Sequence, residues 1–251
     1  MADLTGEAVA LLDHLGVGKT HVLGTSLGGF VAQELALVRP DLVDRLVLVC
    51  TSYGGRGPQA MSPGALADMM GVGTFSAEAA ARKALAAATG EAYRAEKPEE
   101  FERIVRWRLA DSPSVVSYYE QAKAGARFDL SGDVGHITSP TLVIHGAEDR
   151  YVPPANARAL AEAIPGARLQ MLEDAGHLVF VERFADVNRE VVRFLRSGTT
   201  GARETGRGAG DGAVGEASPE AGGWLWRSTG SVRGWVARTM AAMWAFLGFR
   251  D

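Results

Sequence analysis

Four short apolar runs punctuate the chain: Thr20 to Gly24, Arg45 to Cys50, Thr141 to His145 and Arg168 to Leu172. Runs of this length bounded by turn residues read as buried strands. A helical pattern, Phe30 to Val38, separates the first two, and another, Ala155 to Ala163, separates the last two. A third, Arg183 to Leu195, follows the final strand. Strands and helices in this alternation predict an α/β fold, a parallel-rich sheet with helices on both faces. Ahead of the first strand, Ala2 to Leu15 reads as one amphipathic helix with Leu4, Val9, Leu11, Leu12 and Leu15 apolar.

The long interval between the second and third strands carries helical signals only. Ser62-Pro63 and Ser112-Pro113 each place a capping residue before a proline at the first helical position. Ser76 to Ala88 is Ala-rich, and Pro98 to Leu109 carries Phe101, Ile104, Val105 and Leu109 at helical spacing. The pattern divides the chain into a core in two parts, 1–52 and 136–196, with a helical segment, 53–135, between them. Residues 197–222 form a Gly/Ala/Thr-rich linker without apolar periodicity. The tail, 223–251, holds Trp224, Trp226, Trp235 and Trp244 interleaved with arginines. Three readings of it stand: an interfacial helix on a membrane surface, a helix that docks on an apolar groove or drives homo-oligomer formation, and disorder.

The turn after the first strand carries the chemistry. Gly24-Thr25-Ser26-Leu27-Gly28-Gly29 is G-x-S-x-G between a strand and a helix, the setting of a nucleophile elbow. A serine on so tight a turn has strained backbone angles and crowded neighbours at −2 and +2, which accounts for Gly24 and Gly28. Serine needs a general base, and the base an orienting acid. Asp149 lies in the loop after the third strand and His177 in the loop after the fourth. In open α/β sheets, loops at the carboxyl ends of strands line the site.

With Gly24 to Gly29, the stretch Pro140 to Pro153, and Ala175-Gly176-His177, residues 1–196 resemble the α/β-hydrolase superfamily, in particular its small bacterial esterases, enol-lactonases and cofactor-free haloperoxidase-like members. The resemblance implies Ser26 as nucleophile, Asp149 as acid, His177 as base, the Leu27 N–H as an oxyanion donor, a helical cap over the site, and no cofactor. The implied activity is cleavage of a carboxylic ester or related acyl bond in a small molecule. Thioesterase, enol-lactonase and carbon–carbon bond hydrolase chemistry share the triad and stay open. A reading from a different class is a catalytically weak relic, or a membrane-associated interaction protein acting through its tail. One departure stands out: the superfamily's elbow normally follows several more strands, whereas here the serine is residue 26. The first strand is therefore expected at a sheet edge. Either Met1 is a misassigned start or the chain is a fragment; the rival is a short protein that completes its sheet with a partner. The loop that normally supplies a second oxyanion donor has no counterpart.

Composition narrows the field further. A net charge of −4 gives no case for a nucleic-acid partner. The single Cys50 closes an apolar run and reads as a small buried hydrophobe, and one cysteine forms no internal disulfide, which favours the cytoplasm. The amino terminus lacks the pattern of a secretory leader. His14, His21, His136 and His145 show no metal-ligand spacing. Gly16-Val17-Gly18-Lys19-Thr20 resembles the end of a phosphate loop, but it runs from helix to strand, the wrong order. Glu148, beside Asp149, is the alternative acid, and Asp174 reads as a turn residue.

Overall fold

A computed structural model describes residues 1–55, 59–110 and 115–197. The helix start at Ser112-Pro113, the linker beyond Ser197 and the tail lie outside the described residues. Four strands, β1 (Thr20–Thr25), β2 (Val43–Val49), β3 (Thr141–Gly146) and β4 (Arg168–Leu172), form one sheet in the order β1-β2-β3-β4. All three pairings are parallel, with Gly24 opposite Leu48, Leu48 opposite Val143, and Ile144 opposite Gln170. Parallel neighbours need crossover connections, and helices supply them. α1 (Ala2–His14) precedes β1, α2 (Leu27–Val38) joins β1 to β2, and α8 (Pro154–Ala163) joins β3 to β4. Between β2 and β3 come α3 (Pro63–Met69), α4 (Ala77–Ala88), α5 (Glu91–Glu96), α6 (Pro98–Ala110) and α7 (Val115–Ala126). α9 (Val179–Glu182) and α10 (Phe184–Arg196) follow β4.

β2 is buried on both faces, as the interior of a parallel sheet requires. Its alternate side chains feed two cores. Val47 and Val49 pack with Leu142, Ile144 and the α10 stripe Val187, Val191, Phe194 and Leu195. Leu46 and Leu48 pack with Ala32, Leu35 and Ala36 of α2 and with Ala157 and Leu160 of α8. The i, i+4, i+7, i+8 spacing along α10 is what places its four apolar residues on one side.

β1 lies at an edge, with β2 as its partner. The expected apolar face of α1 is only partly covered: Val9 and Leu12 pack against the second core, while Leu4, Leu11 and Leu15 are exposed. Ser62 and Ser76 cap α3 and α4, accepting the N–H groups of Ala65 and Ala79, each at 3.1 Å. Phe101, Ile104 and Val105 of α6 form a third cluster with Tyr93 of α5, and Trp107 packs beside it. Phe75 and Met70, in the connection between α3 and α4, are apolar yet face solvent. Among the described residues no helix is long and apolar enough to cross a membrane.

Candidate active site

The carboxyl ends of β1, β3 and β4 bring Ser26, Asp149 and His177 together. Ser26 is the N-cap of α2 with φ 50° and ψ −120°, a left-handed conformation costly for a residue with a Cβ. The surrounding structure holds it there. The Ser26 N–H donates to Val49 O at 2.9 Å, and the Thr51 hydroxyl donates to Ser26 O at 2.8 Å. A Cβ on Gly24 would lie 2.3 Å from Gly28 O, and one on Gly29 would lie 2.5 Å from Thr51 Oγ1. A Cβ on Gly28 would meet nothing within 4 Å. The crowding expected at both Gly24 and Gly28 thus falls on Gly24 and Gly29. Gly28 enters through its carbonyl alone.

His177 Nε2 lies 3.0 Å from Ser26 Oγ, and His177 Nδ1 lies 2.8 Å from Asp149 Oδ2. Asp149 is 3% exposed, so its charge needs local partners. Its other oxygen, Oδ1, accepts the Tyr151 and Val152 N–H groups at 2.8 and 2.9 Å. Burial alone would raise its pKa, but His177 and His145 beside it hold the carboxyl well below the usual carboxylate range. With Asp149 ionised, the proton of neutral His177 sits on Nδ1, and Nε2 is left to accept the Ser26 hydroxyl. Leu27 is the first residue of α2, so its N–H has no partner within the helix.

Two features have no signature in local sequence. His145, fully buried, places Nε2 2.8 Å from Val152 O and 3.2 Å from Asp149 Oδ2, so the acid faces a second imidazole. Cys50, with φ 48°, completes a group with His145 and Asp149 whose donor atoms lie within 4.8 Å of one another. The sequence spacing of the histidines gave no hint of this cluster, since Cys50 joins it from the end of β2 while His145 and Asp149 lie on and after β3. Burial, and next the charge of Asp149, push the Cys50 thiol up, which keeps it protonated. A protonated thiol and an imidazole nitrogen that donates to a carbonyl are poor metal ligands. Glu148 accepts the Glu91 N–H at 3.1 Å, whereas Asp149 is the carboxylate that meets His177. Asp174 occupies a turn with φ 55°.

The alpha/beta hydrolase fold family matches residues 2–184 of this 251-residue chain. The chain belongs to that family. This alpha/beta hydrolase is 30% identical over 211 residues to a 2-hydroxy-6-oxononadienedioate/2-hydroxy-6-oxononatrienedioate hydrolase of Cupriavidus pinatubonensis, covering 77% of this chain and 68% of the relative. It is similar in structure to the enol-lactonase of Burkholderia xenovorans, with a TM-score of 0.66 and 29% identity over 78% of this chain and 73% of that one. A hydrolase of Pseudomonas aeruginosa shares 31% identity at a TM-score of 0.64, over 77% of this chain and 71% of that one. The alpha/beta hydrolase reading of the sequence is borne out, and with it an enzyme of hydrolase type.

Proposed function

We propose that the chain is a serine hydrolase that cleaves a carboxylic ester or a related acyl bond in a small molecule. The observation that supports this most is the continuous path from Ser26 Oγ through His177 to Asp149, with contacts of 3.0 and 2.8 Å. Ser26 Oγ attacks the substrate carbonyl while His177 Nε2 takes its proton. The oxyanion of the tetrahedral intermediate is held by the Leu27 N–H, which α2 aims outward. Asp149 fixes the imidazole and balances its charge. His177 then returns the proton to the leaving alkoxide, and the carbonyl–oxygen bond breaks to leave an acyl-Ser26. Water, deprotonated by His177, attacks this ester, and the Ser26 oxygen departs with the proton as the acid is released.

The helices α3 to α7 act as a cap over this site in the same reading. Tyr151 supports the assignment: its hydroxyl donates to Ala84 O of α4 at 2.7 Å, and its ring lies 5.4 Å from that of His177. Two of the relatives named above are by name an enol-lactonase and a hydrolase of 2-hydroxy-6-oxononadienedioate or 2-hydroxy-6-oxononatrienedioate, and the proposal extends acyl or carbonyl chemistry of that kind to this chain.

A serine-reactive fluorophosphonate tests the reading. Labelling at Ser26, located by mass spectrometry and slowed strongly in His177→Ala, is the expected outcome. Folded protein that remains unlabelled at Ser26 overturns it.

A further inference from the structure

Glu182, at the end of α9, is 5% exposed and plays no part in the mechanism above. Its Oε2 accepts the Gly90 N–H at 2.6 Å. The Gly176 N–H is shared between Oε1 and Oε2 at 3.0 and 3.1 Å. Gly176 immediately precedes His177, and Gly90 joins α4 to α5. On the other side of His177, the Leu178 N–H donates to Ala88 O at 3.0 Å. The backbone on both sides of the base is therefore tied to the same α4–α5 junction. The approach leaves no room for side chains. A Cβ on Gly176 would meet Ala88 O at 2.8 Å and Gly90 N at 3.0 Å. A Cβ on Gly90 would meet Glu148 Oε2 at 3.0 Å and Glu182 Oε2 at 3.1 Å.

We propose that Glu182 is a positioning residue for His177: through Gly176 and Gly90 its carboxylate seats the base-bearing loop against the α4–α5 junction, so one side chain sets both the imidazole and the helical segment beside it. The proposal rests on the reading of His177 as the base. The hydrogen bonds of Glu182 go to backbone groups, so its influence reaches the reacting atoms only through the loop.

The protonation state of Glu182 sets the strength of the clamp. An ionised carboxylate accepts N–H bonds roughly twice as strongly as a neutral acid. Burial pushes the Glu182 carboxyl up to about 7, against the two N–H groups that favour its charge, and Glu148 and Asp149 push it the same way. Among the described residues, Tyr93 of α5 and Cys50 after β2 also sense its charge, and His177 follows Gly176 in the chain. Glu91 and Arg94 complete the junction, Arg94 donating to Ala86 O and Thr89 O. The clamp therefore tightens as pH rises through neutrality.

The test is the rate of Ser26 phosphonylation by a fluorophosphonate in wild type, Glu182→Gln and Glu182→Ala across neutral pH. Gln is uncharged, as is the protonated wild-type side chain. The rate ratio of Glu182→Gln to wild type is expected to be near one on the acid side and to fall about tenfold on the alkaline side, with its midpoint near pH 7. Glu182→Ala is expected to be slower throughout. A ratio that does not change with pH overturns the proposal, whether the variant is uniformly slow or uniformly unaffected. Should the Ala variant not fold, the near-isosteric Gln variant carries the test. The His177 imidazole resonance, followed by NMR in both proteins, gives a readout that does not depend on Ser26 reactivity. The proposal expects the difference between the two titration curves to have its midpoint near pH 7, and superimposable curves overturn it. Wild-type protein unlabelled at Ser26 but with distinct His177 curves would sink the hydrolase reading and leave the clamp standing.

Discussion

Ser26 follows an edge strand, β1, whose first four residues are only half-buried. Asp149 instead follows β3, an interior strand buried at all six positions. The two halves of the site are also held by different means. Ser26 is fixed by close backbone approach: Gly24 against the Gly28 carbonyl, Gly29 against Thr51, and a strained φ of 50°. Asp149 and His177 are fixed by hydrogen bonds that carboxylates accept from backbone N–H groups, through Asp149 Oδ1 and through Glu182. Steric fixing is insensitive to protonation, whereas carboxylate fixing is not. The position of Ser26 is thus set by shape, and those of Asp149 and His177 depend on charge as well.

The largest effect that could break this contrast is expected at Asp149. Asp149→Asn keeps the volume but allows the wrong imidazole tautomer, and turnover of p-nitrophenyl acetate should fall on the order of 10⁴-fold. The same carboxyl bears on acid stability. Its folded pKa lies below the ordinary value of 3.8, so its contribution is full above that value and is lost as pH falls towards the depressed one. Urea midpoints measured down the acid limb should be less pH-dependent in Asp149→Asn. An unchanged acid limb would mean that the carboxylate is not held by its neighbours.

Glu182 should show the opposite sign. Its folded pKa, about 7, lies above the ordinary 4.5, so the folded protein binds the extra proton between those values. Its contribution to stability is full below 4.5 and is lost as pH rises through about 7. The displacement corresponds to on the order of 3 kcal/mol. Glu182→Gln should flatten this limb of the stability profile, as read by urea midpoints. If the limb survives in the variant, another group is responsible for it. The clamp is thus tightest in the pH range where its charge costs the fold most, a trade of stability against the seating of His177.

On the nucleophile side, Gly24→Ala should cost about 2–3 kcal/mol by overpacking, since its Cβ would lie 2.3 Å from a carbonyl oxygen that is part of α2. Labelling of Ser26 should be lost along with it, and at every pH alike. Recovery of labelling at some pH would show that the elbow is not a purely steric device.

The same contrast explains what the sequence could show. Steric demands are local, and they write themselves into glycine spacing, so the elbow and all four strands are legible in the chain. Asp149 and His177 are legible because their loops follow recognisable strands. The clamps are not: Glu182 meets Gly90, 92 residues away, and Cys50 meets His145 and Asp149 only once β2 and β3 lie side by side. Nothing in local periodicity marks a glutamate in a four-residue helix as buried. Phe75 and Met70 are apolar but exposed, because periodicity cannot tell which face a connection presents. α5 is only six residues long, too short for a periodic pattern to declare it.

The smallest expected effect sharpens the steric account most. Gly28 belongs to the same motif as Gly24, and motif reasoning alone treats the two as equally constrained. Their surroundings differ: a Cβ on Gly28 would meet open space, and the residue lies within α2. Glycine inside a helix is disfavoured relative to alanine by roughly 0.5–1 kcal/mol. Gly28→Ala should therefore raise the thermal midpoint slightly, with Ser26 labelling within about twofold of wild type. Its carbonyl, the atom that excludes a side chain at Gly24, is retained in the variant. If Gly28→Ala instead lost labelling while folding normally, the constraint at this position would come from what occupies the open space above the helix during the reaction, and not from the elbow. That outcome would place the substrate against residue 28 and turn a steric motif into a binding one.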